Sequence, residues 1–151
     1  MKDFDDYLRS NSKHLKTALT DKSFRKVTNM HTLPVNNDLG TLGDAVLRLV
    51  LTEQLFDHEQ ISNDRQDFEK DEYLVKTVAE HYQLLDILQY DKSDNKMGQD
   101  YNWEKCKNGN PRKYIATAME ALLGAYYLDR NRDLALMRKL VSEWTQLPEG
   151  N

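Results

Sequence analysis

The sequence contains few cysteines, which form disulfides, and few prolines and glycines, which interrupt helices. Among its 151 residues there are one cysteine, three prolines and six glycines. The single thiol, Cys106, excludes an internal disulfide and is typical of a reducing cytoplasm. No apolar run approaches the roughly 20 residues of a membrane-spanning helix, and the opening stretch MKDFDDYLRS lacks the layout of a signal peptide. We therefore expect a cytoplasmic protein with no membrane partner.

The sequence also contains fewer basic than acidic residues. The 21 basic residues are outnumbered by 25 acidic ones, which gives a net charge of −4. This balance excludes a uniformly basic surface, although a local basic patch can still bind phosphate groups. The chain is long enough to bury a core without disulfides or a structural metal. We expect residues 1–151 to form a single domain.

Apolar residues recur at helical spacing along most of the chain, which predicts an all-α fold. Within residues 3–19, the pattern breaks near Asn11 and Ser12 and predicts two short helices. A third short helix is expected through Phe24–Val27, capped by Thr20 or Asp21. Longer helices are predicted over 36–56, over 69–88 with a bend, over 114–129 and over 131–145, with a long loop over 89–112.

Two helices that are expected to be buried each carry an acid. The stretch YIATAMEALLGAYYL, residues 114–128, has one charge, Glu120, and the stretch LGDAVLRLVL contains Asp44. A buried carboxylate costs several kcal/mol unless another group compensates it. Arg48 lies at i+4 from Asp44 and could neutralise it. No basic residue lies at i±3 or i±4 from Glu120, so its partner must come from elsewhere in the fold.

Both acids end a narrow polar stripe on an otherwise apolar helix. We expect the two stripes to face each other or a shared solvent-filled cleft. A Mg²⁺ ion held by carboxylates and water would compensate both acids, whereas the alternative is a buried pair satisfied by Lys, Arg or backbone donors. The stripes consist of Asn37, Gly40 and Asp44 on one helix, and Lys113, Thr117 and Glu120 on the other.

Four ordered segments are similar to the catalytic domain of the ribonuclease III family. NNDLGTLGDAVLRLVLTEQLF (36–56) resembles the family's signature stretch, and YIATAMEALLGAYYLD (114–129) resembles its second motif. LKTALTDKSF (15–24) and YLVKTVAEHYQLLDIL (73–88) agree in order and spacing. The resemblance covers residues 13–142. It implies an all-helical, homodimeric endoribonuclease that hydrolyses double-stranded RNA with Mg²⁺, for which Mn²⁺ is a substitute.

The resemblance also assigns roles to the two acids. Asp44 and Glu120 match metal-binding, catalytic residues of the family. We expect the other members of the two polar stripes, Asn37, Gly40, Thr117 and Lys113, to support the site. Typical members hold acids at the positions of Asn37, Gly40 and Thr117, so two of the family's four metal-binding acids, those that match Gly40 and Thr117, are absent here. Thr41 replaces a Phe that helps dimerisation in the family. Mini-ribonuclease III, a short branch with only the catalytic domain, also lacks acids at the positions of Gly40 and Thr117. We therefore expect a short form with no separate double-stranded-RNA-binding domain.

A basic cluster precedes the Glu120 helix and is the expected RNA contact. Its members are Lys105, Lys107, Arg112 and Lys113, close to Tyr101 and Trp103. Such residues would bind RNA phosphates with strong salt dependence, although a solvated loop with no partner is the alternative. The leading hypothesis is thus a Mg²⁺-dependent endoribonuclease acting in RNA processing. The alternative is a catalytically degenerate domain that acts as an RNA- or ribonucleoprotein-binding scaffold.

Overall fold

The computed structural model describes residues 1–57, 66–103 and 111–148. These residues form eight α-helices, one π-helical segment and a single isolated backbone bridge between Thr20 and Gln89, so the all-α prediction is confirmed. None of the described helices is long and apolar enough to cross a membrane. The elements are α1 (Lys2–Tyr7), α2 (Lys13–Ala18), α3 (Phe24–Thr28), α4 (Asn37–Asp57), α5 (Gln66–Tyr73), the π-helical segment (Leu74–Ala79), α6 (Leu84–Ile87), α7 (Lys113–Asp129) and α8 (Leu134–Trp144).

Helices α4 and α7 form the centre of the molecule and make the most extensive contact of any two described helices. Their backbones approach closely at two glycines. A Cβ on Gly43 would lie 1.6 Å from the carbonyl oxygen of Glu120, and a Cβ on Gly124 would lie 2.4 Å from that of Leu39. Only glycine fits such a crossing. Since Asp44 follows Gly43, the same contact places it beside Glu120.

The two short amino-terminal helices that the sequence predicts are present, and α2 packs against α7. Ser12 separates α1 from α2, and its hydroxyl accepts a hydrogen bond from the Leu15 amide at 3.2 Å. Phe4 of α1 packs edge-to-face against Tyr126 of α7 and Trp144 of α8, with ring centroids 5.0 and 5.9 Å apart. Such aromatic pairs add to the stabilisation from burial alone.

The predicted helix over 69–88 is not continuous, and the expected bend is a change of helix type. After α5 the chain continues as the π-helical segment, and Gln83 then adopts a left-handed conformation with φ of 52° before α6 begins. A π turn inserts extra backbone and re-aims the helix axis. Helix α5 reaches both central helices, because Lys70 contacts Asp44 of α4 and Glu120 of α7, and helical periodicity did not reveal this position.

The predicted loop over 89–112 is described in part, and residues 104–110 lie outside the described ranges. Its first half is tied to the core, because the Tyr101 hydroxyl accepts a hydrogen bond from the Leu85 amide at 2.9 Å. Tyr101 and Trp103 both pack partly buried against the core. This part of the loop is therefore anchored by its aromatic residues.

Candidate active site

A cleft of about 430 Å³ opens between α4, α5 and α7. Both polar stripes that the sequence predicts face it, so the expected convergence of Asp44 and Glu120 is present in the structure. The lining residues are Asn37, Gly40, Thr41, Asp44, Arg48, Lys70, Asp71, Lys113, Thr117 and Glu120.

Lys70 of α5 is the partner that Glu120 needs. Its ammonium group lies 3.2 Å from Glu120 Oε2 and also contacts Asp44 Oδ1. The Lys70 side chain is only 7% exposed and that of Glu120 is 9% exposed, while that of Asp44 is 33% exposed. One buried cation therefore bridges the acids of two helices. The sequence indicated that a partner was required but contained no signal that selected Lys70.

Arg48 pairs with Asp44 as the spacing predicts. Its Nε lies 3.1 Å from Asp44 Oδ2, one helical turn away along α4. Because Lys70 engages the other carboxylate oxygen, Asp44 has a cation on each side. The exposed mouth of the cleft thus carries the Arg48 guanidinium, and its buried floor carries the Lys70 ammonium.

A second ion pair crosses the cleft next to the first. Asp71, which directly follows Lys70, is buried and accepts a hydrogen bond from the exposed Lys113 at the start of α7. Adjacent residues of α5 therefore hold α7 through charges of opposite sign. Sequence reasoning missed Asp71, because its place on an amphipathic, partly charged helix is typical of a solvated acid.

The electrostatics of the two acids differ. Burial raises the pKa of Glu120 to about 8, and the neighbouring Asp44 carboxylate adds to this shift while Lys70 opposes it. Burial also acts to raise the pKa of Asp44, but hydrogen bonds from Glu120 and Lys70 outweigh it and lower that pKa. The pair thus holds one firmly ionised carboxylate and one whose ionisation needs further positive charge.

The donor atoms along the cleft are of the kind that Mg²⁺ prefers. Carboxylates from Asp44 and Glu120, the Asn37 amide and the Thr117 hydroxyl are all oxygen-bearing groups at the cleft. Within the described ranges, however, no group of three His, Cys, Asp or Glu residues is arranged to hold a metal. The residues suit a magnesium ion by donor type, and in this structure the Lys70 ammonium group contacts one oxygen of each carboxylate.

The described members of the predicted RNA-contacting cluster have different surroundings in the structure. Lys113 lines the cleft, whereas the mostly buried Arg112 donates to Asp100 through Nη2 at 2.8 Å. Lys105 and Lys107 lie outside the described residues. Lys113 is therefore the one member of the predicted cluster that the described part of the chain brings to the two acids.

Comparison with known proteins identifies the family of the chain. The family model described as Ribonuclease-III-like matches residues 11–143. The chain belongs to the ribonuclease III-like family. Ribonuclease 3 of Pseudomonas aeruginosa is 36% identical over 121 residues, which are 76% of this chain and 48% of that protein. Ribonuclease 3 of a Nitratiruptor species is 32% identical over 152 residues, which are 91% of this chain and 57% of that protein.

Solved ribonuclease III structures show the same fold. The 2.2 Å crystal structure of the ribonuclease III nuclease domain from Campylobacter jejuni is 25% identical with a TM-score of 0.60, and the match covers 91% of this chain and 92% of that domain. A second structure of that nuclease domain, 26% identical with a TM-score of 0.57, is described as flexible in the region involved in dimer formation. The chain spans about half the length of the curated ribonuclease III-like relatives it matches.

Proposed function

We propose that this protein is a Mg²⁺-dependent endoribonuclease, with Mn²⁺ as a substitute, that hydrolyses phosphodiester bonds in double-stranded or structured RNA. The observation that carries the proposal is the convergence of Asp44 and Glu120 on one solvent-accessible cleft of a ribonuclease III-like fold. The curated relatives are ribonucleases by name, which supports the reaction class. We place this activity in the cytoplasm, where a lone thiol such as Cys106 stays reduced.

In this proposal Asp44 and Glu120 hold the metal and Asn37 and Thr117 support the site from the cleft walls. A bound Mg²⁺ supplies an activated water and stabilises negative charge at the phosphodiester. Asp44 and Glu120 would hold a metal as carboxylates, and because the pKa of Glu120 is raised by burial, a bound metal would favour its ionised form. The exposed Lys113 is placed to contact an RNA phosphate beside the acids. We also retain the prediction from the sequence that Lys105, Lys107 and Arg112 contact RNA.

We also propose that the active form is a homodimer. Leu49 and Phe56 on the outward face of α4 are 46% and 66% exposed, and large apolar side chains in such a position favour a protein partner. A second copy of the chain is the partner that the family suggests, since the Campylobacter jejuni nuclease domain has a region involved in dimer formation.

Cleavage of a long, end-labelled RNA duplex tests the proposal. We expect cutting by the natural protein with Mg²⁺ and none without it. Asp44→Asn and Glu120→Gln should each lose about a hundredfold or more in rate, because each removes a carboxylate that would hold the metal acting on the phosphodiester. Asp38→Asn removes an exposed acid from the first turn of the same helix and is the matched control. Its rate should stay at the natural level.

The same experiment separates the proposal from the scaffold alternative. If the protein bound duplex RNA but did not cleave it at any Mg²⁺ concentration, this result would contradict the proposed endoribonuclease activity and favour an RNA-binding scaffold. Cutting that survives in both Asp44→Asn and Glu120→Gln would contradict the assignment of these acids. Circular dichroism of each variant establishes that the helical fold is intact before the rates are compared.

A further inference from the structure

The two carboxylates proposed to bind a metal already share a cation that belongs to the protein. Lys70 Nζ contacts Asp44 Oδ1 and lies 3.2 Å from Glu120 Oε2, so one ammonium group spans acids from α4 and α7. With 7% of its side chain exposed, Lys70 is buried among these acids rather than resting on the surface. A lysine is rarely buried to this extent unless it is paired.

A divalent ion at the same acids would meet this ammonium at close range. Mg²⁺ binds carboxylate oxygens at about 2.0–2.1 Å, which is closer than an ammonium group's hydrogen bonds to them. Both cations would then compete for the same two carboxylates, in which the ammonium group already contacts Asp44 Oδ1 and Glu120 Oε2. Two positive charges in such contact repel strongly inside a partly buried cleft.

We propose that the Lys70 ammonium and the divalent cation are alternative occupants of the Asp44–Glu120 pair, so that Lys70 sets the metal affinity of the site. The inference rests on the proposed metal-dependent function and adds a residue that determines how readily the site is loaded. Release of Lys70 from both acids accompanies metal binding, and its return accompanies metal loss.

The surrounding contacts allow this exchange without loss of the fold. The Asp71–Lys113 pair holds α5 to α7 independently of Lys70, and the Arg48 guanidinium remains on the other oxygen of Asp44. The four-carbon stem of lysine lets its ammonium group swing while the helix backbone stays in place. The charged groups that face Lys70 across the cleft are thus Asp44 and Glu120, with Asp71, Lys113 and Arg48 around them.

Binding of Mn²⁺ alone, followed by electron paramagnetic resonance, tests the proposal in the full chain. Lys70→Met keeps the length of the side chain but removes its charge, and it should tighten Mn²⁺ binding about tenfold or more. The matched control is Lys76→Met, since Lys76 lies six residues further along and pairs instead with Glu72 at 3.6 Å. The control should bind Mn²⁺ like the natural protein. Adding Asp44→Asn to Lys70→Met should abolish the gain.

Unchanged or weaker Mn²⁺ affinity in folded Lys70→Met would overturn the proposal. A second measurement uses the natural protein and does not depend on a variant that folds. Reductive methylation of lysines, read by peptide mass spectrometry, should proceed faster at Lys70 in saturating Mg²⁺ than without metal, with no change at Lys76. Equal labelling rates at Lys70 in both conditions would also overturn it.

Neither readout depends on RNA cleavage, so the two proposals fail separately. Tighter Mn²⁺ binding by Lys70→Met, in a protein that never cuts duplex RNA, would contradict the proposed function and support the role of Lys70. Mg²⁺-dependent cleavage together with unchanged Mn²⁺ affinity in Lys70→Met would support the function and overturn the role of Lys70.

Discussion

At the scale of single residues, Asp129 joins the end of α7 to the first two helices. Its carboxylate accepts hydrogen bonds from Tyr7 at 2.6 Å, from His14 Nδ1 at 2.9 Å and from the Ser12 hydroxyl. Burial acts to raise the pKa of Asp129, but the hydrogen bonds from Ser12, Tyr7 and His14 outweigh it and lower that pKa. The carboxylate therefore binds a proton less readily in the folded state than in the unfolded state.

We predict that Asp129→Asn lowers the free energy of unfolding by about 1–2 kcal/mol at pH 7, because hydrogen bonds to a charged acceptor weaken. A lowered folded-state pKa stabilises the fold above the unfolded-state value of about 4, and this contribution is lost as pH falls through the folded value. Urea unfolding at pH 7 and below pH 4 should show the difference shrinking in acid. The exposed Asp6→Asn is the control, and an equal loss at both pH values would contradict the prediction.

At the scale of elements, the crossing of α4 and α7 depends far more on the glycine at position 43 than on the glycine at position 40. A Cβ on Gly43 would overlap the backbone of Glu120 at 1.6 Å, whereas a Cβ on Gly40 would lie 3.1 Å from the methyl group of Thr117 and at an ordinary contact distance of 3.4 Å from its carbonyl oxygen. Backbone cannot yield without moving the helix, but a side-chain methyl can shift slightly. Gly40 therefore serves as the control position for a substitution at Gly43 in the same helix.

We predict that Gly43→Ala lowers the free energy of unfolding by about 3 kcal/mol or more, since the helices must separate. Gly40→Ala should change it by less than about 1 kcal/mol, because a small clash is offset by the better helix propensity of alanine. Urea denaturation followed by circular dichroism measures both. If Gly43→Ala had the same free energy of unfolding as the natural protein, the two helices would not cross as closely as described.

At the scale of the whole molecule, the exposed apolar face of α4 determines the expected assembly. We predict that Leu49→Glu combined with Phe56→Glu converts a homodimer to a monomer, because charge on both residues opposes burial of that face. Sedimentation velocity should show the change with an unaltered circular dichroism spectrum. Ile87→Glu, at an exposed apolar residue of α6, should leave the dimer intact. A natural protein that sediments as a monomer would contradict the proposed dimer.

Much of the fold and part of the site could be predicted because the signals are local. Helical periodicity located α4, α7 and α8 closely, and the Arg48–Asp44 pair follows from i+4 spacing within one helix. Burial of Glu120 follows from the apolar residues around it in YIATAMEALLGAYYL. Each of these features depends on residues within a few turns of one another.

What the sequence by itself determined is therefore the helical segments, the family resemblance and the need for a charge to compensate Glu120. Only the tertiary structure decided that Lys70, 50 residues away in the chain, would supply this charge and also contact Asp44. Lys70 and Lys76 look alike in the sequence, yet the Lys70 side chain is buried between two acids, whereas Lys76 pairs with Glu72, four residues before it. The difference arises because α5 packs against the cleft between α4 and α7, and such packing between distant segments is not encoded by side-chain periodicity.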